Sequence, residues 1–158
     1  MNKLEKIVSQ LRINHETIST MESCTGGMLA SFITNIAKSS EVFKYGAVTY
    51  SNEYKIKMGV DAKIIEEYGV YSLETAIAMS KAISYYANAD YGIGITGKLH
   101  QSNLLKKELD DKVVYFSIYQ KSSNKCYTQI VKVTSNNRII NKKQVIKKII
   151  EMLNQVID

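Results

Sequence analysis

Two short stretches and one residue pair of the 158-residue chain hold residue types whose spacing suggests chemistry. The first is YGIGITGKLH at 91–100. Gly92, Gly94 and Gly97 match the G-x-G-x-x-G spacing of a dinucleotide-binding turn, and Gly92, Gly97 and Lys98 match most of a phosphate loop. Both matches fail on context. A phosphate loop needs Ser or Thr after its lysine to hold magnesium, and Leu99 stands there. A dinucleotide turn needs its glycines after the strand, whereas Gly92 and Gly94 lie inside an apolar run that reads as one. Glycines so placed mark close approach by another backbone element. Thr96 and Gly97 still close that strand, and strand ends are where α/β sheets place ligands. The second stretch is ESCTGG at 22–27, a strand-to-helix turn. Its exposed backbone N–H groups could hold an anion, with the Ser23 and Thr25 hydroxyls beside them; the alternative is a tight connection with no ligand. The third candidate is a Cys24–His15 nucleophile pair. It lacks any hydrolase context, and Cys24 reads better as a small packing residue. His100, following Gly97, either touches a ligand or sits in a surface loop.

The elements that must position these residues follow from periodicity. Leu4, Ile7, Val8 and Leu11 share one face of a helix over 2–13. ETISTMES, 16–23, reads as a strand that ends at the CTGG turn, and 28–37 returns to a helical pattern. GAVTYS, 46–51, is a short strand. Ser72 can cap a helix over 73–89 that carries Ala76, Met79, Ala82, Ile83 and Tyr86 at helical spacing. DYGIGIT is a buried strand. Segments 113–120 and 125–133 alternate and are joined by a turn, so they form a hairpin. A last helix spans 137–156. Helices alternating with strands, plus one late hairpin, predict an α/β fold: a three-layer α/β/α sandwich with a mixed β-sheet, in a single domain over 1–158.

Composition excludes several classes. A hydrophobic fraction of 45% belongs to a globular protein. No apolar run nears the ~20 residues of a membrane span, and MNKLEKIVSQL lacks the apolar block of a signal peptide. A cytoplasmic location with no membrane partner is expected. Two cysteines and two histidines without ligand spacing predict no metal site. The net charge of +6 is spread through the chain and interleaved with glutamates, except for a cluster at NKKQVIKK, 141–148, so no nucleic-acid partner is expected.

The region 21–60 carries a resemblance. ESCTGG at 22–27, Ser39-Ser40, VTYSNE at 48–53, Lys55 and Gly59-Val60 match, in order and spacing, the C-terminal domain of the competence-damage-inducible protein CinA, a family that includes stand-alone nicotinamide mononucleotide deamidases. The likeness spans about residues 5–120, with a weaker echo in YGVYSLETA and DYGIGITG. It implies conversion of nicotinamide mononucleotide to nicotinate mononucleotide plus ammonia, without metal or other cofactor, in a homo-oligomer. By motif position it also implies a catalytic serine, tyrosine and lysine at Ser40, Tyr50 and Lys55. Substrate contacts are expected from Glu22, Ser23, Thr25, Gly26, Gly27, Asn52, Thr96 and Gly97.

These residue types make chemical sense. A serine hydroxyl needs an adjacent base, and a lysine serves once its pKa falls toward ~7 to 8. Ser51 or Asn52 could cap a helix that holds Lys55 in its first turn, where the helix dipole and partial burial disfavour the ammonium. Glu53 acts in the opposite direction. Tyr50 could relay a proton or orient the serine. The rival readings are structural: Ser40 as the cap of a helix starting near EVFKY, Tyr50 as a sheet residue, Lys55 as a solvated surface side chain.

One stretch departs from the family. Relatives follow I-T-G with a Gly- and Pro-rich loop, whereas this chain has KLHQSNLLKKELDDKVV and contains no proline. SNLLKKELDDK reads as a short helix. Two outcomes stay open: retained amide hydrolysis, or a catalytically silent or substrate-shifted domain that binds a small molecule or a protein.

Overall fold

The computed structural model describes residues 2–100 and 112–157. Helix α1 (Lys3–Asn14) starts at a reciprocal cap between Asn2 and Glu5 and buries Leu4, Ile7, Val8 and Leu11. It ends at His15, in a left-handed conformation. Strand β1 (Ile18–Glu22) is buried throughout and leads to α2 (Met28–Thr34). A single 3-10 turn (Ser39–Glu41) precedes β2 (Phe43–Val48). Two short helices follow: α3 (Asn52–Lys57), capped by Ser51, and α4 (Ala62–Tyr68), capped by Asp61. Helix α5 (Leu73–Ala87), capped by Ser72, precedes β3 (Tyr91–Gly97). The hairpin β4 (Val113–Gln120) and β5 (Lys125–Lys132) leads to α6 (Arg138–Val156), capped by Asn137.

The five strands form one mixed sheet in the order β2-β1-β3-β4-β5. β1 lies parallel to both β2 and β3, and the remaining pairs are antiparallel. α1, α2 and α6 cover one face around a core that includes Leu11, Leu29, Phe116 and Ile149. α5, backed by α4, covers the other around Met21, Met79 and Ile83. The molecule is thus a three-layer α/β/α sandwich.

Gly92 and Gly94 explain how closely α5 sits. A Cβ on Gly92 would collide with the Ser80 carbonyl oxygen, and one on Gly94 with the backbone of Ala76 and Ser80. The glycines of the apparent nucleotide motif are therefore packing devices.

Two expectations are corrected. The second strand starts three residues earlier than predicted, at Phe43, and no helix starts at EVFKY. The Ile18 N–H donates to the Val42 carbonyl (2.8 Å), which draws this β-branched and aromatic stretch onto the sheet edge. α4 was not foreseen, because none of its residues is buried and the periodic apolar signal is missing. The helix expected at 102–112 falls, except for Lys112, outside the described residues.

Candidate functional site

The parallel strands β1, β2 and β3 end on the same side of the molecule, and the polar groups converge there. β1 is followed at once by Ser23. β2 is followed by a three-residue passage, 49–51, that enters α3 and brings Lys55 back beneath the sheet end. Lys55 is only 1% exposed. Its Nζ donates to the Thr49 carbonyl (2.8 Å) and lies 3.1 Å from Ser23 Oγ. Burial lowers the Lys55 pKa from the ordinary amine value, and the nearby Cys24 opposes this more weakly. A buried amine shifted toward its neutral form is an acceptor for the serine proton.

These two residues lie in a pocket of about 120 Å³. Ser23 and Cys24 come from the turn after β1, Tyr50 from the passage after β2, and Asn52 and Lys55 from α3. Val70 and Tyr71 come from the α4–α5 connection, Gly97 to His100 from the end of β3, and Arg138 from the start of α6. Two buried side chains fix the walls. Thr96 Oγ1 donates to the Val70 carbonyl (2.9 Å), which holds Tyr71 in place. Asn141 Nδ2 donates to the carbonyls of Leu99 and Ser135 (both 2.8 Å), while its Oδ1 accepts from the Ser135 N–H (3.1 Å). The Lys98 ammonium lies 5.0 Å from the centre of the Tyr71 ring.

The structure brings some of the sequence-derived residues together and separates others. Ser23, Tyr50, Asn52, Lys55 and Gly97 all line the pocket. The Tyr50 hydroxyl, on a side chain 66% exposed, accepts from Arg138 Nη2 (3.3 Å) at the mouth. Ser40 is elsewhere. It lies in the turn before β2, beside the start of β1, since Phe43 pairs with Ile18 whereas Val48 pairs with Glu22. Six strand residues separate it from the passage that carries Tyr50, a length of roughly 20 Å at the rise of a β-strand. The serine that meets Lys55 in this structure is Ser23 (3.1 Å), whereas Ser40, expected beside Lys55, lies at the other end of β2. Ser40 does not cap a helix either, since a strand follows it.

The ESCTGG turn also differs from expectation. Its helix N-terminus is already occupied by an internal anion: the Glu22 carboxylate accepts from the N–H groups of Leu29 and Ala30 (both 3.0 Å) and from Thr25 Oγ1 (2.6 Å). Glu22 and Thr25 therefore build the turn, and Thr96 pins a wall, rather than opening donors toward a ligand. Gly26 and Gly27 adopt positive φ of 60° and 94° to make the bend. A Cβ on Gly26 would come within 3.2 Å of Lys142 Nζ.

Cys24 is settled by its surroundings. Burial pushes its thiol up to about 12, so it stays protonated at neutral pH. His15 ends α1, ahead of β1, at the opposite end of that strand from Cys24. Among the described residues no three His, Cys, Asp or Glu side chains are grouped to hold a metal ion. No described helix is long and apolar enough to cross a membrane. Sequence reasoning missed Tyr71 and Arg138. Arg138 offered one signal, being one of two arginines in a chain that otherwise uses lysine.

The comparisons agree with this architecture. The family model for the CinA C-terminal domain matches residues 1–157, and the chain belongs to that family. A CinA-like protein of Kosmotoga olearia is 48% identical over 94 residues, covering 59% of this chain and 23% of its own length. The match thus spans about a quarter of that longer relative. Among solved structures, a competence-damaged protein (CinA) superfamily protein from Escherichia coli superposes with a TM-score of 0.88 at 24% identity, over 98% of this chain and 88% of its own. A competence or damage-inducible protein from Enterobacter asburiae gives 0.88 at 20% identity over the whole of both chains. At these identities the solved structures bear on the fold alone.

Proposed function

We propose that the protein hydrolyses the carboxamide of nicotinamide mononucleotide, with Ser23 as nucleophile and Lys55 as its base. The observation that carries this reading is the buried Lys55 amine, lowered in pKa and 3.1 Å from Ser23 Oγ at the floor of a pocket. Neutral Lys55 takes the Ser23 proton as Oγ bonds to the carboxamide carbon. The resulting ammonium then protonates the departing nitrogen, the C–N bond breaks, and ammonia leaves an acyl-serine. Water attacks that ester with Lys55 again as base, which releases the acid and restores the serine. Asn52, at the pocket edge, supplies an amide donor toward the developing oxyanion.

The pocket's size supports a flat aromatic amide. A volume of about 120 Å³ is of the same order as the ~150 Å³ cavity that admits benzene, the scale of a small planar group rather than of a whole nucleotide. Tyr50 and Tyr71 offer ring faces at its sides. Ammonia release from nicotinamide mononucleotide tests the reading. Release is expected from the wild-type protein, absent in Ser23→Ala and retained in Ser40→Ala. Its rate should rise with pH and level off below the pH at which an ordinary lysine titrates. A folded wild-type protein that releases no ammonia would point to the silent or substrate-shifted alternative.

A further inference from the structure

We infer that the outer face of the α1–α2–α6 layer is a docking groove for an acidic amphipathic helix of another protein. The floor and the rim of this groove differ in chemistry. Two adjoining hollows of about 380 and 200 Å³ share Lys3, Phe32 and Ile150. Phe32, Ile150 and Ile36, just past α2, touch the core with one side only and stay half-buried, so the floor is apolar. The rim is basic: exposed Lys3 comes from α1, and exposed Lys143 and Lys147 stand one turn apart on α6.

Among the described residues none of these three lysines has a carboxylate within ion-pair distance; the recorded pairs are Arg12–Glu41, Lys57–Glu53 and Lys148–Glu151. Glu151, the acid beside the second hollow, is thus already matched by Lys148 (3.7 Å). Beyond Ile36 the basic rim ends, where Glu5 accepts from the Asn2 N–H and Arg12 is paired with Glu41. Lysine stems line apolar surface while their ammonium heads stay in water. The occupant must therefore be apolar on one face and anionic along its flanks.

Shape chooses among such occupants. From Lys143 to Glu151, α6 rises about 12 Å, the length of two turns of a bound helix. A helix is narrow enough to lower apolar side chains between the lysines onto Phe32 and Ile150. A bilayer surface is flat on that scale and meets the lysines without reaching the floor. A nucleic-acid backbone answers the lysines and leaves the floor wet. A second copy of the chain is disfavoured by charge, since each carries +6. The groove also gives a use to two of the four lysines in NKKQVIKK, which the pocket at the sheet end does not absorb.

The probe is a fluorescein-labelled helical peptide of about fifteen residues, with leucines at i, i+3, i+4 and i+7 and glutamates on both flanks, read by fluorescence anisotropy. Saturable binding to the wild type is expected, weakening as salt rises from about 0.05 to 0.5 M. It should fall at least tenfold in the triple variant Lys3→Glu, Lys143→Glu, Lys147→Glu, and at least fivefold in Ile150→Ser, each with its cooperative melt retained. A peptide with lysines in place of the glutamates should bind the triple variant and not the wild type. That charge swap alters no floor residue, so it decides the matter even where Ile150→Ser fails to fold. Equal binding of a scrambled peptide of the same composition, or undiminished binding by the triple variant, overturns the groove. So does cosedimentation with phosphatidylglycerol vesicles without peptide binding, which assigns the face to a membrane. A sedimenting mass that changes in the triple variant overturns it as well, assigning the face to a second copy.

Discussion

Two serine-bearing turns flank the same strand pair, and they differ in almost every physical respect. The turn after β1 holds Ser23 at 8% exposure, next to a buried lysine and a buried carboxylate that caps a helix. The turn before β2 holds Ser40 in solvent, with Glu41 paired to Arg12 at the surface (2.8 Å). Both contain a serine and a glutamate within a few residues, so composition does not tell them apart. Strand direction does. The first lies where parallel strands end and the following segments converge over it; the second lies exposed where a strand begins.

The sharpest way to break this comparison is to exchange roles. Ser23→Ala is expected to lower ammonia release at least 1,000-fold and Ser40→Ala less than twofold, read by steady-state kinetics at matched folding. The reverse ranking would return the nucleophile to Ser40. Next in size, Lys55→Met should cost about 100- to 10,000-fold in kcat, the usual range for a general base. It should also change how stability responds to pH. With a folded-state pKa below 10.5, folded Lys55 holds fewer protons than unfolded Lys55, so its contribution rises with pH from the lowered value up to 10.5. Melts of wild type and Lys55→Met at pH 7 and pH 10 should therefore diverge in favour of the wild type at the higher pH.

The two glutamates sharpen the contrast in stability. Glu22→Ala leaves the N–H groups of Leu29 and Ala30 and the Thr25 hydroxyl without their acceptor, and urea unfolding should show a loss of about 2–3 kcal/mol. Glu41→Ala, at a pair on the surface, should leave the transition midpoint nearly unmoved. Smallest is Thr96→Val, which strips the Val70 carbonyl of its donor at nearly constant volume. About 1 kcal/mol is expected in unfolding, with a modest rise in KM as Tyr71 loses its anchor.

Much of the fold was legible because its signals are local. The alternation of β4 and β5, the Asn137 and Ser72 caps, and the apolar faces of α1 and α6 each lie within one segment. β2 was misplaced because an edge strand has no buried face to fix its phase: Lys44, Tyr45 and Gly46 are all exposed, and pairing with β1 decided its limits. In the candidate site, Lys55 and its cap by Ser51 could be read from the chain, and so could a polar turn at Ser23. The partnership between Lys55 and Ser23 spans 32 residues and two strands, and a linear motif leaves open which of two serines faces the amine. Strand polarity could have chosen: Ser23 follows a parallel strand, and Ser40 precedes one. Tyr71 and Arg138 border the pocket beside long-range contacts, Thr96 to Val70 and Asn141 to Leu99, which no periodicity reveals.

Asn141 has a consequence beyond holding a loop. Its single buried amide ties Leu99, Ser135 and the first turn of α6 into one block. The segment that follows β3 and the start of α6, which supply Leu99 and Arg138 to the pocket, are thereby coupled. Loosening that one amide would free two of the pocket's walls together, so the opening behaves as one mechanical part rather than as independent loops.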